Sequence, residues 1–326
     1  MRILLTGASG FIGRNIALKL SSLGHRVKCL VRNPGKSEWM SGDPLLEAVA
    51  GDVKSFESLI PHVVSVEVVI HLAGLTKARS REEFILVNGK GTGNLARAVS
   101  EKGKNAVKFL YVSSLAVAGP RGSDNPAVED DPPSPITNYG ESKLLGERLL
   151  LEEIGTVPWT IVRPPIVYGP HDRDFFVYFK MAHHGFVPLV GRGNLDLSMI
   201  HVDDLVEGLV LAAFQKESDY KVYYVSDGKV YTQEDIADLL IGVTGRGRKI
   251  HLPWGFLWIA GKMGDFLGKV TGKGALISSE KVKEAMQEGW TCSPVKIGKE
   301  LGYSPGKEAL SGFEETYRWY RRSGWL

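Results

Sequence analysis

Through the first half of the chain, short apolar runs alternate with stretches whose apolar residues recur at helical spacing. The runs are RILLT (2–6), RVKCLV (26–31), LEAVA (46–50), VEVVIHL (66–72), AVKFLYVS (106–113) and WTIVR (159–163). Between them, segments 11–24, 55–63, 83–103 and 138–155 read as helices. Strands without clear polar alternation, separated by helices, predict a parallel sheet covered on both faces. Right-handed crossovers make that sheet doubly wound, of the α/β class. After Pro164 the rhythm breaks, and 165–200 reads as a long irregular stretch carrying one helix. A further helix is expected from near Asp203, with Asp203 and Asp204 capping the apolar run 205–214. Another is expected over 232–243, with Thr232 as N-cap and Glu234 and Asp235 in its first turn. The expected division is 1–164, completed by elements within 199–228, and a smaller α/β unit over 165–326 without a clean boundary.

One stripe stands apart. Phe256, Ile259/Ala260, Met263, Phe266/Leu267 and Val270 share a helical face, flanked by Trp and Lys. Core or pocket wall is the plain reading of such a stripe; a helix lying on a membrane surface is the sharper one.

Composition narrows the field by exclusion. Of 326 residues, 43 % are hydrophobic and 24 % charged, enough for a sizeable core without staples. With 40 basic against 37 acidic residues and no basic run, nothing suggests nucleic-acid binding. Cys29 lies in an apolar run and reads as a small buried hydrophobe; it and Cys292 give neither a disulfide framework nor zinc spacing. His183 and His184 are adjacent and would diverge on a helix, so they read as surface or loop residues and no metal is expected. Met1 and Arg2 run directly into a strand and a glycine turn, unlike a signal peptide, and no apolar run reaches the ~18 residues of a membrane span. A cytoplasmic setting is the expectation.

Candidate chemistry begins at TGASGFIG (6–13), where Gly7, Gly10 and Gly13 follow the first strand and open a helix. That spacing lets the backbone turn sharply and approach a pyrophosphate at a helix N-terminus, with Ser9, Phe11 and Ile12 in the same turn. Residues 1–164 thus read as a Rossmann dinucleotide-binding unit. At the end of the second strand an acid would bind a ribose 2′-hydroxyl; here Arg32 stands instead, followed by Lys36. An arginine fork suits a 2′-phosphate, so NADP(H) is favoured over NAD(H). The plain alternative is that Arg32 stacks on adenine or faces water. Asp52, after the third strand, is placed to meet the adenine amino group, and HLAG (71–74) puts small residues against ribose and pyrophosphate.

Tyr139 and Lys143 lie four apart on a predicted helix and share a face. A free tyrosine, with a pKa of about 10, is a poor base near neutrality. A neighbouring ammonium and a positive nicotinamide ring are expected to lower that value, letting Tyr139 exchange a proton with a substrate oxygen. Lys143 is also placed to hold ribose hydroxyls. Ser113 and Ser114 end the fifth strand at the same sheet edge, and either can orient the substrate oxygen.

In this order and spacing the chain resembles the extended short-chain dehydrogenases/reductases, which include epimerases, dehydratases, dihydroflavonol reductases and 3β-hydroxysteroid dehydrogenases. The resemblance runs over nearly the whole chain, through GDV, VNGKGTGNL, VSSLAVAG, YGESK, RPPIVYGP, IHVDDL and the C-terminal YRWYRRSGWL. It implies that Gly7, Gly10 and Gly13 cradle the pyrophosphate while Asp52 and Val53 meet the adenine. Leu72, Ala73 and Gly74 would line the cofactor, with Ser113 beside it. Asn88 would support the active-site helix, and Pro164, Ile166 and Val167 would pack the nicotinamide. Ser114, aligned with the family's catalytic serine, would act with Tyr139 and Lys143. It also implies a homodimer through the helices of VNGKGTGNL and YGESK.

Departures from the family pattern bear on substrate. Leu115 and Ala116 stand where dehydratases carry an Asp-Glu pair. Pro165 replaces the asparagine, and Leu197 the arginine, with which epimerases grip a sugar diphosphate, though Arg173 or Arg192 could compensate. Ala118 replaces a tyrosine. The expectation is hydride transfer to or from a carbonyl or alcohol of a small hydrophobic substrate. A nucleotide-sugar 4-epimerase is the alternative, and a non-catalytic dinucleotide-binding module a third.

Overall fold

The protein, seen as a computed structural model, is described for residues 1–191, 193–271 and 279–326, with side chains at all of these except 260 and 265–271. The first unit runs β1 (Arg2–Thr6), α1 (Phe11–Ser22), β2 (Arg26–Val31), β3 (Leu46–Ala50), α2 (Phe56–Val63), β4 (Val68–His71), α3 (Arg81–Phe84), α4 (Gly91–Lys102), β5 (Lys108–Val112), α5 (Asn138–Glu153) and β6 (Trp159–Arg163). Next come β7 (Ile166–Tyr168), α6 (Phe176–His183), β8 (Phe186–Val190), β9 (Asp196–His201), α7 (Val202–Phe214) and β10 (Lys221–Tyr224). The chain ends with β11 (Val230–Thr232), α8 (Gln233–Thr244), β12 (Arg248–Leu252), α9 (Trp254–Thr271), α10 (Ser279–Ala285), β13 (Gly289–Trp290), α11 (Val295–Leu301) and α12 (Ala309–Arg322).

Seven strands form one parallel sheet in the order β10-β6-β5-β4-β1-β2-β3. Every residue of β4 and β5 is buried, which is why their sequences show no alternation. Ile3, Leu5, Ile16, Leu20, Leu205 and Leu209 fill the core on the α1/α7 face. Leu4, Leu59, Leu95, Phe109, Leu150 and Ile161 fill the opposite face, under α2, α4 and α5. The sheet is therefore a doubly wound Rossmann sheet, completed at one edge by β10.

Three sequence expectations need correction. The stretch 165–200 is not irregular: β7, β8 and β9 lie in it besides α6. β9 pairs with β7, β11 and β13, while β8 pairs with β12 alone, and Pro188 is tolerated in such a two-stranded ribbon. Segment 83–103 is not one α-helix: Ile85–Lys90 is a π-turn between α3 and α4. α7 begins one residue before Asp203, and its cap is His201, whose Nδ1 accepts from the Asp203 N–H at 3.3 Å. Asp204 accepts instead from the N–H groups of Gly306 and Lys307, tying the C-terminal segment to α7. For α8 the sequence and structure agree, with Thr232 and Asp235 forming a capping box.

The stripe on α9 faces outward. Phe256, Ile259 and Met263 are each 59 % exposed, so on these residues it is neither core nor pocket wall. The side chains of Ala260, Phe266, Leu267 and Val270 lie outside the described residues, as does Arg192.

Candidate active site

Between β1 and β4 the chain leaves the sheet in opposite directions, α1 to one face and α4 to the other, which opens a crevice at the carboxyl edge. Gly7 sits there at φ +76°, and a Cβ on it would lie 2.8 Å from the backbone of Leu72 and Ala73. A Cβ on Gly13 would come within 2.0 Å of the Gly7 carbonyl oxygen, so only glycine lets α1 start this close to the turn. The N-cap, Gly10, offers no side-chain acceptor, and the first turn holds no carboxylate. The first amides of α1 are thus left for an outside anion. Ser113, on the neighbouring strand end, carries a buried hydroxyl without a hydrogen-bond partner. A backbone cradle, uncapped amides and an orphaned hydroxyl fit a dinucleotide phosphate and its ribose.

Beneath the crevice lies a buried chain of polar groups. The Ala73 N–H donates to Thr6 Oγ1 at 3.1 Å, and Thr92 Oγ1 donates to the Asn88 carbonyl at 2.6 Å. His71 bridges them, with Nδ1 2.6 Å from Thr6 Oγ1 and Nε2 3.0 Å from Thr92 Oγ1. Since the Thr92 hydroxyl proton is committed, the network assigns the ring proton to Nε2 and the Thr6 hydroxyl donates to Nδ1. Burial, and secondarily the Lys143 charge, push His71 down to about 3, so it stays neutral.

Asn88, in the π-turn, fastens three elements. Its Oδ1 accepts from the Leu75 N–H at 2.7 Å, and its Nδ2 donates to the Leu75 carbonyl at 3.0 Å and to Ser142 Oγ at 2.9 Å. The loop after β4 is thereby tied to α5. Helix α5 comes close enough because Gly146 has no side chain: a Cβ there would meet Tyr111 Oη at 2.5 Å and the Asn88 carbonyl at 2.7 Å.

α5 presents Tyr139 and Lys143 to the edge of β5. Lys143 Nζ donates to the Val112 carbonyl at 2.7 Å and lies 4.3 Å from the centre of the Tyr111 ring. Burial lowers its pKa to about 7, a shift the Glu147 carboxylate only partly opposes. Tyr139 packs beside Phe84, with ring centres 6.0 Å apart. The expected lowering of the Tyr139 pKa is not found in the protein alone. Burial raises it, and the hydrogen bond with Ser114 and the charge of Lys281 only partly offset that effect. The ammonium of Lys143 is itself disfavoured by burial, so it is a weak source of stabilisation here. Ser114 opens a tight turn at Leu115–Val117, its Oγ accepting from the Ala116 N–H at 3.2 Å.

Other candidates sit farther out. Arg32 and Lys36 stand exposed beyond β2 and take part in no ion pair among the described residues. Asp52 spends one oxygen on the Lys54 N–H at 2.9 Å and lies 3.4 Å from Lys54 Nζ. The Pro164 carbonyl accepts from the Leu115 N–H at 2.9 Å, joining the β6 end to the Ser114 turn, and Ile166 and Val167 follow, half-buried, in β7. Leu72 and Ala73 are half-buried at the end of β4, Gly74 is exposed, and Val53 is buried. Arg173 lies over the Trp325 ring.

Several residues around the site carry no sequence signal. Lys281 and Glu284, an ion pair at 2.7 Å on α10, place their charges near Tyr139. On the same helix Glu280 accepts from the Asn138 N–H at 2.8 Å. Arg14 stacks 5.0 Å over Trp39, one turn beyond Gly10, with its Nε buried and unpaired. His201, Asp203 and Glu315 have the donor set of a cation site, but Lys307 Nζ already lies 3.6 Å from Asp203 and 2.7 Å from Glu315.

The Lys143 shift predicts a pH effect on stability. An unfolded lysine takes its proton near 10.5 and the folded one near 7, so between those values the unfolded state binds more protons. The contribution of this group therefore falls as pH drops from about 10.5 to about 7 and is constant below. Urea unfolding of wild type and Lys143→Met across that range should show wild type gaining more stability with rising pH; equal slopes would refute the shift.

A Rossmann sheet that brings Ser114, Tyr139 and Lys143 to the edge of a dinucleotide cradle defines an NAD(P)-dependent enzyme of the extended short-chain dehydrogenase/reductase type. The chain belongs to the NAD dependent epimerase/dehydratase family, which it matches over residues 3–226. It is 33 % identical to a ceramide reductase of Caulobacter vibrioides over 330 residues, covering 99 % of this chain and 96 % of that one. It is 29 % identical to the N-acetyl-alpha-D-glucosaminyl-diphospho-ditrans,octacis-undecaprenol 4-epimerase of Escherichia coli O157:H7, covering 86 % and 84 % of the two chains. A UDP-glucose 4-epimerase structure from Thermotoga maritima superimposes with a TM-score of 0.80 at 22 % identity over 99 % of each chain, a likeness of fold.

Proposed function

We propose that this protein is an NADP(H)-dependent reductase or dehydrogenase acting on a carbonyl or secondary alcohol of a hydrophobic, lipid-like substrate. The observation that carries the reading is the surface next to Ser114. Leu115 and Ala118 turn into an apolar cluster with Ala127, Tyr224 and Cys292, where a dehydratase needs carboxylates. The ceramide reductase likeness over 99 % of the chain supports a lipid-like substrate.

The bound cofactor supplies or accepts the hydride. Gly7, Ser9, Gly10, Phe11, Ile12 and Gly13 would hold its pyrophosphate, Asp52 and Val53 its adenine. Leu72, Ala73, Gly74 and Ser113 would line its middle, and Pro164, Ile166 and Val167 would back its nicotinamide. Ser114 donates to the substrate oxygen and orients it. In reduction the Tyr139 hydroxyl gives its proton to that oxygen; in oxidation the Tyr139 phenolate takes it back. Lys143, fixed on the Val112 carbonyl, carries a compensating charge beside the phenolate. Because burial raises the Tyr139 pKa, the protonated form needed for reduction persists to higher pH, and oxidation gains rate as pH rises.

Arg32 and Lys36, exposed and outside ion pairs, are the groups that favour NADP(H). Arg32→Ala should raise KM for NADPH roughly tenfold to a hundredfold, the worth of a charge-assisted hydrogen bond, and leave KM for NADH nearly unchanged. A wild-type KM lower for NADH than for NADPH would overturn this choice.

The undecaprenyl-diphosphate sugar epimerase likeness keeps a second reading in view, 4-epimerisation with tightly held NAD(P). Screening hydrophobic ketones and secondary alcohols with NADPH or NADP+, alongside thermal shifts with nucleotide sugars, separates the two. Turnover of a ketone without any nucleotide-sugar shift supports the reductase; a sugar shift with no ketone turnover removes it. Leu86 and Leu151, exposed along the α4/α5 region, suit a homodimer, which sedimentation checks.

A further inference from the structure

The ribbon of β8 and β12 buries one face and leaves the other without a partner. Val187 and Leu189 point into the core with Phe179 and Leu240. Phe186 and Ile250, on positions that alternate with these, are 40 % and 45 % exposed. The ribbon leads through Pro253 into α9, and the Trp254 ring packs over Gly191 at the end of β8. From there Trp254, Phe256, Trp258, Ile259 and Met263 are 40–59 % exposed. An ordinary soluble surface does not present so many large apolar side chains together.

We infer that this ribbon-and-helix face docks on an anionic lipid bilayer. The charge around it favours that occupant: residues 246–273 hold six Lys or Arg and one Asp. Lys249 is engaged by Glu234 and Asp238, but Arg246 and Arg248 are exposed, and Lys262 lies exposed with its Nζ 5.2 Å over the Trp258 ring. Basic side chains beside an apolar face add attraction to acidic headgroups, and tryptophan settles at the headgroup boundary. A second copy is the poorer occupant, because a twofold pairing sets the same basic rim against itself. No described helix is long and apolar enough to cross a membrane, so the face lies on the bilayer without spanning it.

The surface is also connected to the active site. α9 packs on α10, and α10 holds the N-terminus of the Tyr139 helix through Glu280 to the Asn138 N–H and Lys283 to the Ile136 carbonyl. Docking would set the mouth near Tyr139 close to the membrane, so that a lipid-like substrate need not cross water. That last step rests on the reductase reading; the docking itself does not.

Flotation of the full chain with phosphatidylcholine vesicles, with and without phosphatidylglycerol, tests the inference. Wild type should float with the anionic vesicles and bind the neutral ones about tenfold more weakly. Phe256→Ser with Ile259→Ser should weaken binding to anionic vesicles at least about tenfold, and Lys262→Glu should weaken it severalfold. Activity of both variants on a water-soluble ketone should equal that of wild type. Wild type that stays unbound, or a double variant that floats equally well, overturns the inference. So does a concentration-dependent dimer, seen by sedimentation, that the double variant loses while vesicle binding is absent. Vesicle binding with no ketone turnover would instead count against the reductase reading alone.

Discussion

Tyr139→Phe should lower kcat by roughly 10²–10⁴-fold, the usual worth of a positioned proton donor. Cofactor affinity should stay close to wild type, because the phenol touches the reacting oxygen and not the cradle of Gly7 and Gly13. Stability should change little, since the lost hydroxyl is partly accessible and its partner, Ser114, keeps the Ala116 N–H. Stopped-flow reduction with NADPH, cofactor titration by fluorescence and thermal unfolding measure the three quantities. Turnover that survives the change would remove Tyr139 from the chemistry and leave a dinucleotide-binding module as the better description. The pH profile adds a second check. Wild-type reduction should hold through neutrality and decline only on the alkaline side, because burial keeps the phenol protonated.

The parts of this molecule legible in its sequence share one physical cause. β1 to β6 have both faces buried, so their apolar runs are continuous, and the helices between them have one wet face and a clear period. The glycines of the first turn were legible because steric necessity at Gly7 and Gly13 leaves one residue type. The second unit was harder. β7 has three residues and β13 two, too few for any period, and β8 carries Pro188. The π-turn around Asn88 leaves no periodic trace, since one extra residue per turn looks like an imperfect helix. His71 and Lys281 enter through tertiary contact alone, Lys281 from 142 residues beyond Tyr139 in the chain. On α9 the spacing showed that one face is apolar, but not that this face is the outer one. The direction of the Tyr139 shift was misjudged for a related reason: neighbours in sequence show charge, and burial, the larger effect here, is visible only in the fold.

Glu147→Ala should unfold the protein more readily than any other single polar replacement near the site. Glu147 and Arg163 are both about 4 % exposed and meet in two hydrogen bonds, Nε to Oε1 at 2.9 Å and Nη2 to Oε2 at 2.6 Å. Arg163 Nη1 also donates to the Tyr224 hydroxyl at 3.1 Å. Burial works against the Arg163 charge, but the hydrogen bonds and charge of Glu147 outweigh it and its pKa is raised. Removing the carboxylate strands a guanidinium that cannot lose its proton, and breaking such a pair typically costs about 3–5 kcal/mol. That is a large part of an ordinary domain's stability of about 5–15 kcal/mol. Catalysis should suffer as well. Arg163 ends β6 directly before Pro164, whose carbonyl fixes the Leu115 N–H and with it the turn of Ser114. Glu147 is also the carboxylate that sustains the charge on Lys143, so its loss should push that pKa below about 7. Glu147→Gln, which keeps one acceptor and the shape, should fall between the two in denaturant unfolding. A loss under about 1 kcal/mol in Glu147→Ala would mean that water reaches Arg163, and the pair would then behave as a surface ion pair.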